Sequence, residues 1–259
     1  MGVTSAGSSG YTWQTSEGLA WWTTVSSRLG GGGFDNSLKT KYDNGFNYLH
    51  GTGDINYIDR LYIYRGDSIA ARTSLVNSSS TISEEINSPT FHAVNGYTFD
   101  GVSTYLNTHY NPLIDGVQYS AYNDAMFGCD RYGSSSEYGK FDLGITDGTT
   151  ATAAALNTPG GVGWLLNNDT YNTFASNGDG IYLFKISGTN SVSVLANGNS
   201  SSTGNNASAR PNGEIYVGCL NNVGTPANFK GVRTRFTIFA GGAINLSNVA
   251  YALNNYFLA

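Results

Sequence analysis

The chain has little charge. Only 12% of its 259 residues are Asp, Glu, Lys or Arg, about half the share of an ordinary soluble protein. Surface polarity therefore falls to Asn, Ser, Thr, Gly and Tyr, a composition suited to neutral, turn-rich, hydrogen-bonding surfaces. The 13 basic and 18 acidic residues give a formal charge of −5, and no block of Lys or Arg could neutralise a row of phosphates, so nucleic acid is not an expected partner. No apolar run reaches the roughly 18 residues of a membrane-spanning helix, which argues against membrane insertion. The stretch Met1-Gly2-Val3-Thr4-Ser5-Ala6-Gly7 has neither a basic nor an apolar signal region, and a secretory leader is not expected. There are two cysteines, Cys129 and Cys219, far apart in sequence and without metal-ligand spacing. With no export signal, they are expected to be buried free thiols.

Catalytic patterns are also missing. A glycoside hydrolase needs two carboxylates about 5 to 10 Å apart, which on one strand means alternate acidic residues, as in Glu-x-Asp-x-x-Glu. The chain has no such pattern. Glu84-Glu85 is adjacent, so a strand would point the two to opposite faces, and its Ser-rich surroundings read as a solvated loop. His50, His92 and His109 lack a spaced partner, and neither a Gly-x-Ser-x-Gly elbow nor a phosphate loop occurs. No catalytic residue is assigned, and the protein is expected not to be an enzyme. Arg65-Gly66-Asp67 reads as a strand end followed by a helix cap, where Asp is favoured, and not as an adhesion motif.

What is present is a series of short β-branched and aromatic runs between turn dipeptides. The stretch from Thr90 to Thr108 contains Asn95-Gly96 and Asp100-Gly101, whose residues tolerate positive φ, and reads as consecutive antiparallel strands. Further strands are expected at Asp59–Tyr64, Ile181–Ile186, Val192–Leu195, Ile215–Leu220 and Arg233–Phe239, those at 181–195 forming a hairpin around Ser187-Gly188-Thr189-Asn190. Such density means a β-sandwich or barrel. Leu38, Tyr42, Phe46 and Leu49 recur at helical spacing and predict a helix from Ser37 to His50, ending at Gly51 or Gly53. A second short helix is expected from Asp67 through Val76. A third, capped by Ser247, carries Val249, Leu253, Tyr256 and Phe257 on one face.

These elements divide the chain into an attachment arm over 1–36, a collar of short helices and a strand over 37–88, and a sandwich over 89–259. The strand at 59–64 belongs either to the collar or to the sandwich. The arm holds Gly30-Gly31-Gly32-Gly33, a flexible joint or tight crossing, and Trp13, Trp21 and Trp22. These rings need burial, either in an inter-subunit groove, as attachment and oligomer contacts, or against the base of their own domain.

The Thr90–Thr108 stretch, with Tyr105-Leu106-Asn107-Thr108 leading to Asn111-Pro112, resembles the opening of a concanavalin-like (LamG-like) sandwich. Taken in order with Asp59–Tyr64, Ala70–Asn77, Asn87–Phe91 and Phe236–Tyr251, it resembles bacteriophage virion proteins carrying such a lectin-like jelly-roll domain, over most of residues 55 to 259. The resemblance implies an all-β sandwich with an N-terminal arm, one or two short N-terminal helices and a C-terminal helix. It also implies a tail-fibre, tail-tip, head-fibre or capsid-decoration protein, assembled in the host cytoplasm and extracellular after lysis. Its partners would be other virion proteins, further copies of itself (trimers being common among fibres) and host-surface carbohydrate. The alternatives are a passive decoration protein, a polysaccharide-degrading tail enzyme and a secreted adhesin. Glycan contacts are expected from aromatic plates in Gly/Ser/Asn-rich segments: Tyr132, Tyr138, Trp164 and Tyr171. No cofactor is expected. LamG-like domains often hold calcium, for which Asn167-Asn168-Asp169 and Asn177-Gly178-Asp179-Gly180 supply oxygens, but these lack full acidic spacing, read first as turns, and no metal ligand is assigned.

Overall fold

The computed structural model describes residues 11–29, 35–119, 125–132, 139–158, 161–168, 170–175, 179–188, 191–204, 207 and 209–259. The four-glycine joint, Tyr138 and the turn residues Thr189-Asn190 lie outside them. Among the described residues, one sheet has six strands in the spatial order Ile58–Ile63, Phe236–Ala240, Met126–Arg131, Gly180–Gly188, Ser191–Ala196 and Asn199–Gly204. A second, nine-stranded sheet runs Asn172–Phe174, Gly161–Asn168, Ala151–Thr158, Leu143–Thr146, Tyr216–Val217, Tyr105–Asn107 and Glu84–Ile86. The hairpin of Leu220–Asn222 and Thr225–Ala227 branches off beside Leu143–Thr146, in this sheet's one parallel pairing among the described residues. A small third sheet joins Arg233–Thr234, Gly96–Thr98 and Thr90–His92. The antiparallel β-sandwich expected from the sequence is therefore the fold, and the strand at 59–64 lies within it.

Side-chain alternation divides the apolar residues between two cores. Tyr62, Phe127, Cys129, Tyr182, Phe184 and Phe239 point from the six-stranded sheet into the sandwich, where they meet Leu143, Ala154, Val162, Trp164 and Val217 of the nine-stranded sheet. Their strand neighbours Leu61, Ile63, Met126, Leu183, Phe236 and Ile238 point the other way, into a layer of helices. That layer contains α1 (Ser16–Arg28), α2 (Asn36–Thr52) and α4 (Leu246–Ala252), the last continued by a π-turn over Leu253–Phe257. A sheet buried on both faces needs apolar residues at successive positions, as in Ile181-Tyr182-Leu183-Phe184 and Phe236-Thr237-Ile238-Phe239.

The caps follow ordinary helix chemistry. Asp35 accepts from Leu38 N to start α2, and Gly53 at φ 79 closes it in the left-handed region. The Ser37–His50 expectation is met, with one added turn of context. In Arg65-Gly66-Asp67, Asp67 accepts from Ile69 N and caps α3 (Ser68–Arg72). The stripe expected to continue to Val76 stops at Arg72, because Thr73 returns to extended backbone and Leu61 N bonds Ser74 Oγ. Asn245, not Ser247, caps α4, accepting from both Ser247 N and Asn248 N.

Three expectations are corrected. Residues 11–29 are not a loose arm: Thr15 caps α1, whose Trp21 stacks on Tyr42 at 4.9 Å while Trp13 lies edge-on to Trp21. Trp13 and Trp21 are 1% exposed and Trp22 9%, so these rings are used up inside their own chain and are not contacts for another. The Asp100-Gly101 turn does not close a hairpin. Asp100 gathers the amides of Val102, Ser103 and Thr104 into a corner that carries the chain from the small sheet to the nine-stranded one. Glu84-Glu85 lies in a strand rather than a solvated loop. Its two side chains do point to opposite faces, Glu85 pairing with Arg72 and accepting from Tyr97 Oη.

The expected free thiols are observed: Cys129 and Cys219 are unpaired and buried. Burial pushes the Cys219 thiol up to about 12, and burial, with Asp142 and Asp130 nearby, raises Cys129 well above the usual thiol range. Only a thiolate attacks a thiol reagent readily. Native protein at pH 8 should therefore leave both thiols unreacted with Ellman's reagent, and both should react in denaturant; rapid native labelling would contradict this burial.

Gly45 sits within α2, where glycine costs roughly 0.5–1 kcal/mol relative to alanine. A Cβ there would lie 2.4 Å from Phe257 Cζ, so the glycine is the seat of the Phe257 ring. Gly45→Ala should therefore destabilise the protein by about 1–3 kcal/mol, against the helix-propensity trend; a higher Tm would contradict this packing.

Candidate functional site

On the nine-stranded sheet, the face turned away from the sandwich core is dominated by small residues, of which Ala153 and Ala155 are buried. Gly161, Gly163 and Leu165 alternate with inward Val162, Trp164 and Leu166, and beside them Ala151, Ala153 and Ala155 face outward with Gly144. Small side chains leave a depression between whatever larger groups rise at its edges. Leu220 is one such wall, since a Cβ on Gly144 would lie 2.9 Å from Leu220 Cδ1. Tyr171 is another: its hydroxyl occupies the space above Gly163, and its ring stays 44% exposed. Beside Leu220 lies a groove of about 440 Å³ lined by Thr146, Gly148, Thr149, Thr150, Ala151, Leu165 and Leu220. That size is ordinary for a small-molecule site. Val223, held at φ 51 and exposed, stands at the mouth opposite Gly148.

None of these lining residues is charged. The nearest carboxylate, Asp147, faces into its own turn: Oδ1 accepts from Thr149 N, Thr149 Oγ1 and Thr150 N, and Oδ2 from Thr150 Oγ1 and Asn212 N. This sets the polarity of the rim. Thr149 and Thr150 direct their hydroxyl protons at Asp147 and so offer lone pairs to a ligand, whereas Thr146 Oγ1 already accepts from Gly148 N and keeps its proton for donation. The groove thus combines aliphatic walls with a mixed donor and acceptor edge. Partial burial alone would raise the Asp147 carboxyl, but the bonds from Thr150, Thr149 and Asn212 outweigh it and hold the group well below the usual carboxylate range.

The expected aromatic plates fall in different places. Tyr171 covers Gly163 and is not among the residues that line the groove. Tyr132 is 39% exposed at another part of the surface, beside Arg233 and Arg235. Trp164 is fully buried, 5.4 Å from Phe184 in the sandwich core, because strand alternation turns it inward when Gly163 and Leu165 face out; it is removed as a glycan contact. Tyr138 lies outside the described residues. The first calcium candidate is also corrected at Asn167, whose buried Oδ1 accepts from Tyr119 and Thr152 hydroxyls. Asp169, Asn177 and Gly178 are outside the described residues, among which no group of three or more His, Cys, Asp or Glu is placed to hold a metal.

The fold also assembles a cluster that sequence spacing could not reveal. His109, expected to lack a partner, has Nδ1 3.1 Å from Glu214 Oε1 and Nε2 3.6 Å from Glu84 Oε2. Asn107 Nδ2 donates to Glu214 Oε2 at 2.6 Å. These residues come from separate strands and loops that pair only in the folded sheet. For Glu214, partial burial would raise the carboxyl, but Asn107 and His109 prevail and lower it. A general acid needs the opposite shift.

No protein-family model matches the chain, and no curated protein matches it. Solved structures do. A mutant of Trypanosoma rangeli sialidase displaying trans-sialidase activity aligns with a TM-score of 0.55 at 10% identity, covering 86% of this chain and 39% of its own. The botulinum neurotoxin serotype D binding domain aligns at 0.52 and 10% identity, covering 78% of this chain and 52% of its own. Domain 4 of AbnA, an extracellular arabinanase from Geobacillus stearothermophilus in complex with arabinotriose, gives 0.48 and 12%, covering 76% and 98%. The chain thus spans about two fifths of the sialidase and half of the toxin domain. At such identities the likeness concerns fold alone, and the fold is the concanavalin-like antiparallel sandwich.

The groove rim has a defined acid response. A carboxyl lowered in the folded state stabilises fully above its ordinary value, 3.8 here, and that contribution is lost as pH falls through the folded value. The amide resonances of Thr149 and Thr150 should stay fixed from pH 7 to pH 5 and complete their titration only well below 3.8. A midpoint between pH 4 and 5 would contradict the bonding assigned to Asp147.

Proposed function

We propose that this protein is a non-enzymatic carbohydrate-binding sandwich, displayed on the surface of a bacteriophage particle, that holds a neutral saccharide in the groove of the nine-stranded sheet. The observation carrying the reading is the uncharged groove itself. Leu165, Leu220 and Ala151 suit the apolar C–H face of a sugar ring, while Thr149 and Thr150 present acceptors and Thr146 a donor to its hydroxyls. That a sialidase shares the fold is in keeping with a sugar ligand.

The virion setting rests on the resemblance of the ordered motifs between residues 55 and 259 to those of bacteriophage tail-fibre, tail-tip and head-fibre proteins; a decoration protein of the same family would carry the sandwich without using the groove. Absence of catalysis rests on the groove's neutrality and on Glu84 and Glu214, the two carboxylates that approach each other across His109. Glu214 is held in its charged form and cannot serve as a general acid at neutral pH.

On a glycan array the protein should bind neutral oligosaccharides. Leu165→Ala should weaken the best of them by about tenfold, roughly 1.4 kcal/mol, and no reducing ends should appear from host polysaccharide. Failure to bind any neutral glycan would sink the groove assignment, and release of reducing ends would sink the non-enzymatic half.

A further inference from the structure

Away from the groove, three side chains converge at the junction of the six-stranded and the small sheets. Arg233 lies in the strand Arg233–Thr234 and Arg235 in the bend that separates it from Phe236–Ala240, with Thr234 buried between them. Their guanidinium carbons lie 5.5 and 5.0 Å from the ring centre of Tyr132, whose backbone is bridged to Arg233. Arg233 Nε donates to Thr98 Oγ1 at 3.2 Å, and Arg235 Nε donates to the fully buried Asp130 carboxylate. Among the described residues, the terminal nitrogens of both guanidinium groups take no protein hydrogen bond.

Two cations share one ring, and one carboxylate balances one of them. Their mutual repulsion is relieved by a further anion, and terminal guanidinium nitrogens form a planar fork that matches a carboxylate. The remaining charge of one suits a monoanion better than a phosphate dianion. An exposed tyrosine beside the fork offers a stacking surface for the ring that carries the anion. The −5 charge of the whole chain makes this small basic patch an exception, and it is too small to track a polyphosphate backbone.

We propose that Tyr132, Arg233 and Arg235 form a second saccharide subsite, selective for a sugar acid: Arg233 and Arg235 hold the carboxylate and Tyr132 packs against the ring. The subsite extends the carbohydrate-binding reading but uses residues separate from the groove, so the two fail independently.

The test uses the full chain and two acidic probes, octagalacturonate and tetrameric sialic acid, each beside its methyl-esterified, uncharged counterpart. The acids should bind better than the esters, with affinity falling as salt rises. Arg233→Gln and Tyr132→Leu should each weaken the acids roughly tenfold or more and leave neutral-glycan binding at the groove unchanged. Arg235 is left intact because its loss would strand buried Asp130. Leu165→Ala serves as the reciprocal control, weakening neutral glycans while sparing the acids. Equal binding of acids and esters, or acid binding indifferent to Arg233→Gln in a variant with normal Tm, overturns the subsite while the groove reading stands. Absence of binding by both acids also overturns it, and the neutral array then judges the groove separately.

Discussion

Burying one sheet on both sides is the constraint around which the molecule is organised. The strands at 58–63, 126–131, 180–188 and 236–240 alternate between two apolar clusters, one shared with the nine-stranded sheet and one with the helices. Neither core can be dispensed with: a sheet with one apolar face exposed would be open to aggregation. The helical layer, including the tryptophans of α1 and the ring of Phe257, is thus required by the apolar outward residues of these strands. The proposed groove lies on the other sheet, away from the helical layer.

The few charges in the chain are largely committed to holding irregular backbone. Asp59 is buried and collects the amides of Val117, Gln118 and Tyr119 together with the Tyr110 hydroxyl. Asp142 receives Leu156 N and Lys230 Nζ, Asp130 receives Thr234, Arg235 and Phe236, and Asp147 closes the groove turn. A buried carboxylate without such donors would be strongly destabilising, so each must remain occupied. The same economy of charge leaves a neutral groove and makes the pair of arginines beside Tyr132 conspicuous.

Much of the fold was legible because it depends on local periodicity. The turn dipeptides, the 181–195 hairpin and the helical spacing of Tyr42, Phe46 and Leu49 each reflect interactions within a few residues. Misreadings occurred where a distant partner prevailed over local preference. Gly218, at φ 91 with the Phe99 ring where a Cβ would lie, breaks the run expected at 215–220 into two short strands. Asp130 takes the amides of Arg235 and Phe236 and divides the run at 233–239. The polar sequence of α1 hid a helix whose aromatic residues find their partners on α2.

The site residues divide the same way. Sequence by itself determined that the chain is built of short antiparallel strands, as in a sandwich or barrel, and that Tyr132 and Tyr171 belong to polar segments, because alternation, turn chemistry and composition are properties of neighbours. Tertiary structure alone decided that Trp164 turns inward while Tyr171 covers Gly163, that His109 lies between Glu84 and Glu214, and that Tyr132 meets two arginines. Those outcomes depend on which strands pair and in what register, and a shift of one residue exchanges the two faces of a strand. Register is fixed only when the whole sheet is packed between its two cores.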